Sequence, residues 1–358
     1  MTDLPLREDL LGQEPYGAPT DAVPVRLNVN ENPYAPPAAV VEAMTTAVTQ
    51  ALASANRYPD REAVALRAAL ADYVGVGLDQ VWAANGSNEV MHQLLGAFGG
   101  PGRTMVSFTP TYSMYPVYAR DTNTRYLTAP RQPDHSLDLA TAAAVIESER
   151  PSVVVVASPN NPTGGLLPAA EVRQLHTMVA EYGLLVVDEA YIEFAPAGAS
   201  AVGLLPELPR LVVLRTLSKA WGLAGLRLGY AVAAPAVIDG LRLVRLPYHL
   251  SMATQAAATA AVTHRHELLA PVAEVVAQRA ELAQWLADQG IPAVASHANF
   301  ILVGPLSDSG AVFAAMRDRG VLVRESGVPG YLRVSIGTPH ENQVLREALL
   351  AVLPEGRT

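Results

Sequence analysis

Lysine is almost missing from this chain. Of the 25 basic residues among 358, all but Lys219 are arginine. Charge, salt bridges and phosphate contacts are therefore arginine's task, and arginine cannot lose its proton near neutral pH and attack a carbonyl. One primary amine in a background of guanidinium groups marks its position as chemically special. Cysteine is absent, which excludes a disulfide framework and a thiolate metal site. Charged residues make up only 16 %, and the net charge of -9 disfavours nucleic acid or an anionic membrane as the main partner. A local basic pocket for a small anion is compatible with that balance. No apolar run approaches the roughly 20 residues needed to cross a bilayer. Residues 1–9 have neither a basic end nor an apolar signal core, so the expected location is cytoplasmic. His264 and His266, the closest histidine pair, stand at i,i+2 on different sides of a predicted helix and read as solvated surface rather than metal ligands.

Apolar residues, by contrast, make up 50 %, enough for a large core, and the length suits one large domain and one smaller. Residues 1–35 are proline-rich with little periodicity and are expected to form an N-terminal arm that joins the small domain. Within it, residues 28–33 read as an amide-rich surface loop or as an ordered arm across another subunit. Helices are predicted after Pro37, with Val40, Val41, Met44 and Val48 on one face, and again from Val64 to Tyr73. Strands and helices then alternate, the pattern of a mostly parallel sheet covered by helices. The predicted strands are 81–84, 104–108, 153–157, 184–187 and 211–214, the last followed by the stretch 216–222 that holds Lys219. Long helices are expected over 251–263 and 265–289. Residues 266–358 read as a separate small α+β unit with strands at 300–303, 321–324 and 332–336, leaving 36–265 as the large domain.

Ligands of open α/β sheets bind at the carboxyl ends of the strands, and the loops there carry a coherent set of groups. Ser87 and Asn88 follow Gly86 at a helix start, where free N–H groups suit an anion as well as they suit N-capping. Tyr112 offers an aromatic plate. Asn161 lies in a turn-rich segment. Asp188 ends an apolar strand, where a carboxylate is costly without a partner; a structural salt bridge or a ligand would each supply one. Tyr191, Ser218, Lys219 and Arg227 follow. One amine, one semi-buried acid, a ring, hydrogen-bond donors and an anion cradle match what pyridoxal phosphate demands. Its aldehyde needs an amine and its ring nitrogen a carboxylate. Its phosphate needs N–H groups, hydroxyls and an arginine fork, and its ring a stacking partner.

Over nearly its whole length the chain resembles the fold-type I pyridoxal-phosphate-dependent aminotransferases, and within them the histidinol-phosphate aminotransferases. The resemblance rests on Asn-Glu-Asn-Pro at 30–33, Arg57-Tyr58-Pro59-Asp60, Pro110-Thr111-Tyr112, residues 158–164, 187–191 and 216–219, and Arg333 with Gly337-Thr338. Pro15-Tyr16-Gly17 and residues 86–89 and 246–250 are similar to actinobacterial members. Many relatives have an acidic residue at the position of Asn88. The resemblance implies an α/β fold: a large cofactor-binding domain with a mostly parallel seven-stranded sheet, plus a smaller α+β domain. It implies that Lys219 carries the cofactor and shuttles a proton, that Asp188 pairs with the ring nitrogen, that Asn161 and Tyr191 hold the ring hydroxyl, and that Tyr112 stacks on the ring. Ser87, Asn88, Ser218 and Arg227 would bind the cofactor phosphate, with Tyr58 reaching in from the other subunit of a homodimer. Arg333, with Arg324 and Tyr16, would bind the anionic end of the substrate.

The reaction so implied is amino transfer between L-histidinol phosphate (imidazole acetol phosphate on the keto side) and glutamate or 2-oxoglutarate, in histidine biosynthesis. An aromatic amino acid aminotransferase shares most of these motifs and stays open. A threonine-phosphate decarboxylase-like enzyme and a non-catalytic, cofactor-binding regulator also share the scaffold, although no helix-turn-helix extension or basic face supports the regulator. No Gly-x-Gly-x-x-Gly opens a helix after the first strand, which argues against a nicotinamide cofactor.

Overall fold

The structure, a computed structural model, describes residues 5–15, 17 and 19–353. The chain enters through β1 (Val25–Arg26) and then builds a seven-stranded sheet. Its members are β2 (Val81–Ala84), β3 (Thr104–Thr109), β4 (Arg125–Pro130), β5 (Val153–Ala157), β6 (Leu184–Asp188), β7 (Leu211–Thr216) and β8 (Gly229–Ala233), in the order β2-β8-β7-β6-β5-β3-β4. Neighbouring strands are parallel except β8, which runs antiparallel to both β2 and β7. Every residue of β5, β6 and β7 is buried, as their unbroken apolar runs require of strands covered on both faces. Within β5 the side chains still alternate. Val153 and Val155 enter one core, Val154 and Val156 the other. The edge strand β4 escaped sequence reading, because five of its six residues are exposed or half-buried and no apolar run marks it.

A second, four-stranded antiparallel sheet has the order β12-β13-β10-β9, from β9 (Ala293–Val294), β10 (Phe300–Val303), β12 (Arg324–Glu325) and β13 (Leu332–Ser335). Between them in the chain, β11 (Val321–Leu322) pairs in parallel with β1, which ties the entering segment to this half of the molecule. The run 321–324, predicted as one strand, is therefore two. Its first half pairs with β1 and its second with β13, the change falling at Val323. The helix predicted over 265–289 is also two, Arg265–Leu269 and Val272–Asp288. Pro271 lies at the break, where it removes a donor and clashes with the preceding turn. Val41 is exposed while Val40 is fully buried, because the helix Ala38–Leu52 turns a narrower face onto the helix Met252–Thr263 than the apolar residues suggest.

Two carboxylates, Glu189 buried and Glu193 half-buried, fasten the loop after β6 to β7 and the loop after it. Glu189 forms an ion pair with Arg215 of β7 at 2.9 Å and accepts from the Ser200 hydroxyl at 2.9 Å. Glu193 accepts from the Trp221 indole N–H and from the Tyr73 hydroxyl, each at 3.4 Å. These contacts flank Asp188 and Lys219. Lys219 itself lies beyond the end of β7, in the loop that follows the strand, as expected of a stretch placed after the apolar run.

Candidate active site

The carboxyl ends of β5, β6 and β7, with the start of the helix Gly86–Phe98, surround a cavity of about 430 Å³. Ser87, Asn88, Tyr112, Asn161, Asp188, Tyr191, Ser218, Lys219, Arg227, Arg324 and Arg333 all line it. Tyr16 lies outside the described residues. Tyr58 is elsewhere: it is 78 % exposed and stacks on Tyr248, with ring centroids 4.4 Å apart.

The Lys219 amine donates to the backbone carbonyl of Val29 at 2.9 Å. Burial lowers its pKa to about 8, and the nearby guanidinium groups of Arg333 and Arg227 act in the same sense against Glu31. A substantial neutral fraction near pH 8 makes this amine a competent nucleophile. Asp188 shows the opposite shift. Burial raises its carboxyl to about 6, and neighbouring Glu189 adds to the effect. The Tyr115 hydroxyl at 2.9 Å and the Ala190 N–H at 3.2 Å oppose it by donating to the two carboxylate oxygens. A cationic partner inside the cavity would hold this acid ionised.

The anion cradle depends on two glycines. Gly86 adopts φ +80°, and a Cβ there would stand 3.0 Å from the Arg227 guanidinium. A Cβ on Gly229 would fall 2.0 Å from the Ser87 nitrogen, so only glycine lets β8 start against the helix end. Arg227 donates to the Ser218 hydroxyl at 3.2 Å. Ser87, Asn88, Ser218 and Arg227 thus converge where backbone N–H groups and the helix dipole favour an anion.

Across the cavity, Arg333 of β13 donates to Asn161 Oδ1 at 2.8 Å and to the Asn28 carbonyl at 2.7 Å. Arg324 is its direct cross-strand neighbour on β12 and reaches the Gly17 carbonyl at 3.5 Å. Two like charges facing each other across strands repel unless an anion lies between them. The Tyr112 ring meets the fully buried Tyr115 ring edge-on, with centroids 5.5 Å apart.

Several site groups escaped sequence reading. Tyr115 opens a short helix with no periodic mark, and the Val29 carbonyl carries no side-chain signal. Residues 28–33, expected as a surface loop or as an ordered arm across another subunit, are partly buried against their own chain. Asn28 and Asn30 are buried against the chain's own Arg333, Tyr191 and Ser335. Among the described residues there is no cluster of three potential metal ligands, and no helix is long and apolar enough to cross a membrane.

Comparison with known proteins agrees with this geometry. The aminotransferase class I and II family matches residues 22–349. A histidinol-phosphate aminotransferase of Thermobifida fusca is 52 % identical over 351 residues, covering 97 % of this chain and 95 % of the relative. Histidinol-phosphate aminotransferase 3 of Burkholderia lata is 53 % identical over 360 residues, covering 99 % and 97 %. Among solved structures, the histidinol-phosphate aminotransferase of Sinorhizobium meliloti, in complex with pyridoxal-5'-phosphate, superposes with a TM-score of 0.84 at 28 % identity, covering 92 % of this chain and 91 % of that one. The superposition shows that the chain shares the fold of that structure. The chain belongs to the class I and II aminotransferase family.

Proposed function

We propose that the protein is a pyridoxal-phosphate-dependent histidinol-phosphate aminotransferase, which exchanges an amino group between L-histidinol phosphate and 2-oxoglutarate. The observation that carries this reading is the facing pair Arg324 and Arg333 in a cavity that also holds the sole lysine and a buried acid. Histidinol phosphate has no carboxylate, so its phosphate is the anionic end to be held. Glutamate presents its α-carboxylate to the same place. The guanidinium fork of Arg333 suits both anions. Near 50 % identity to histidinol-phosphate aminotransferases along almost the entire chain supports the substrate assignment.

The donor set fits the cofactor. Lys219 meets an aldehyde, Asp188 a ring nitrogen, Tyr112 a ring face, and Asn161 with Tyr191 a ring hydroxyl. Ser87, Asn88, Ser218 and Arg227 meet a phosphate. When bound, pyridoxal phosphate supplies an electron-withdrawing ring that lets a proton leave the substrate carbon bearing nitrogen. The chain's residues do the rest. Lys219 Nζ, with its pKa near 8, takes that proton and returns it. Asp188 keeps its counterpart protonated through its own negative charge, and Tyr115 aims it. Arg333, Arg324 and Tyr16 orient the substrate. Tyr58, exposed and remote from its own cavity, serves the partner's site in a homodimer. The arm (1–35), large domain (36–265) and small domain (266–358) are the proposed units, and the cytoplasm the proposed location.

Arg333→Ala tests the anion assignment. Two charge-assisted hydrogen bonds contribute about 1.5–3 kcal/mol each, so KM for histidinol phosphate and for glutamate should rise by about 10²–10⁴-fold. Cofactor absorbance should persist. Unchanged KM for both substrates contradicts the assignment.

A further inference from the structure

The turn after β5 carries two adjacent asparagines, of which Asn161 lines the cavity and Asn160 does not. Asn160 is 1 % exposed and turns its amide onto the chain itself. The Pro110 carbonyl can only accept, so the atom that meets it at 3.0 Å is Nδ2. The same nitrogen donates its second proton to Thr163 Oγ1 at 2.8 Å. Oδ1 therefore faces the Thr111 hydroxyl, which donates to it at 3.0 Å. The backbone of Asn160 closes the turn. Its N–H donates to the Gly165 carbonyl at 2.8 Å, and its carbonyl accepts from the Gly164 N–H at 2.6 Å. One buried side chain thus joins the segment that leaves β3 to the turn that leaves β5. Among the described residues, the ladder between these strands covers only Met105–Val153 and Val106–Val154, short of their carboxyl ends. At the cavity, the Asn160 amide spans the gap that the ladder leaves.

We infer that Asn160 is a positioning residue that sets the distance between the Tyr112 ring and the Asn161 amide, and with it the slot that receives the cofactor ring. The inference rests on the functional reading above, in which Tyr112 stacks on that ring and Asn161 meets its hydroxyl. Tyr112 directly follows Thr111, and Asn161 directly follows Asn160, so the link joins the immediate neighbours of both groups. The turn is held on its other side as well. Arg333 Nη1 donates to Asn161 Oδ1 at 2.8 Å, and the His297 N–H donates to the Gly164 carbonyl at 2.8 Å. Those contacts fix the turn toward the smaller sheet, and Asn160 fixes it toward Tyr112. The spacing matters because a gap wider by about 0.5–1 Å forfeits a quarter to a half of the dispersion attraction across a contact.

The test is the dissociation constant of pyridoxal phosphate, read from visible absorbance as the cofactor-free protein is titrated, with Tm measured alongside. Asn160→Ala should weaken binding by about tenfold. Thr111→Val keeps the shape and deletes one hydroxyl, and should weaken binding by about threefold. Both losses should vanish in a protein that already carries Tyr112→Ala and Asn161→Ala, because Asn160 acts through those two side chains. A residue that only supports the fold would lower Tm and keep the same effect in either background. Wild-type affinity in a folded Asn160→Ala protein overturns the inference, as does a tenfold loss that persists in the doubly substituted background. If Asn160→Ala does not fold, Thr111→Val is read by the same pair of outcomes, with its own threefold loss. A wild-type protein that takes up no pyridoxal phosphate overturns the functional reading itself, which separates the two failures.

Discussion

Lys219→Ala should lower turnover by about 10⁴-fold or more, since it removes both the covalent anchor and the proton carrier. The sequence makes this variant unusually clean, because no second lysine exists to substitute. Borohydride treatment of the loaded wild-type protein should fix the cofactor on the peptide containing Lys219, and the variant should retain none. The pH behaviour of the cofactor-free protein provides a second measure. Folded, the amine titrates near 8, depressed by burial; unfolded, it titrates near about 10.4. Between those values the unfolded chain binds more protons than the folded one, so stability should rise with pH across that window. Lys219→Ala should lose that rise, read as Tm against pH. Turnover within about tenfold of wild type contradicts the role of Lys219.

Asp188→Asn should lower turnover by about 10³-fold, the scale on which a preorganised charge facing the reacting system acts. It should not destabilise the cofactor-free protein at pH 7. Burial raises the Asp188 carboxyl to about 6, above its unfolded value near about 3.9. Between these values the folded state holds the extra proton, so stability is greatest below the window and falls as pH rises through about 6. The charge costs the empty fold about 3 kcal/mol at neutral pH, an amount the neutral amide avoids. A Tm at pH 7 equal to or above wild type, with turnover lost, is the expected pair of results. A wild-type turnover contradicts the role, and a large fall in Tm contradicts the electrostatic account.

The candidate site residues were legible where the fold gives them a local signature. Asp188 stands at the end of an apolar strand, and Lys219 is unique. The central strands β5, β6 and β7 were legible for the same reason, because burial on both faces leaves unbroken apolar runs. What the sequence concealed depends on partners distant in the chain. Asn30 reads as a loop amide until Tyr191 and Ser335, more than 150 residues away, are seen to surround it. Tyr115 reads as one more aromatic until its hydroxyl is found on Asp188. The run 321–324 has strand composition throughout, and only its two different pairing partners divide it. The Val29 carbonyl that receives the Lys219 amine is backbone, which composition never reports.

The substrate assignment is tested most directly by a single half-reaction. Cofactor-loaded protein is mixed with L-histidinol phosphate, and separately with L-phenylalanine, and the visible cofactor absorbance is followed in time. The facing pair Arg324 and Arg333 predicts fast conversion with histidinol phosphate and slow conversion with phenylalanine. Faster conversion with phenylalanine contradicts the account and moves the assignment to aromatic amino acid transamination.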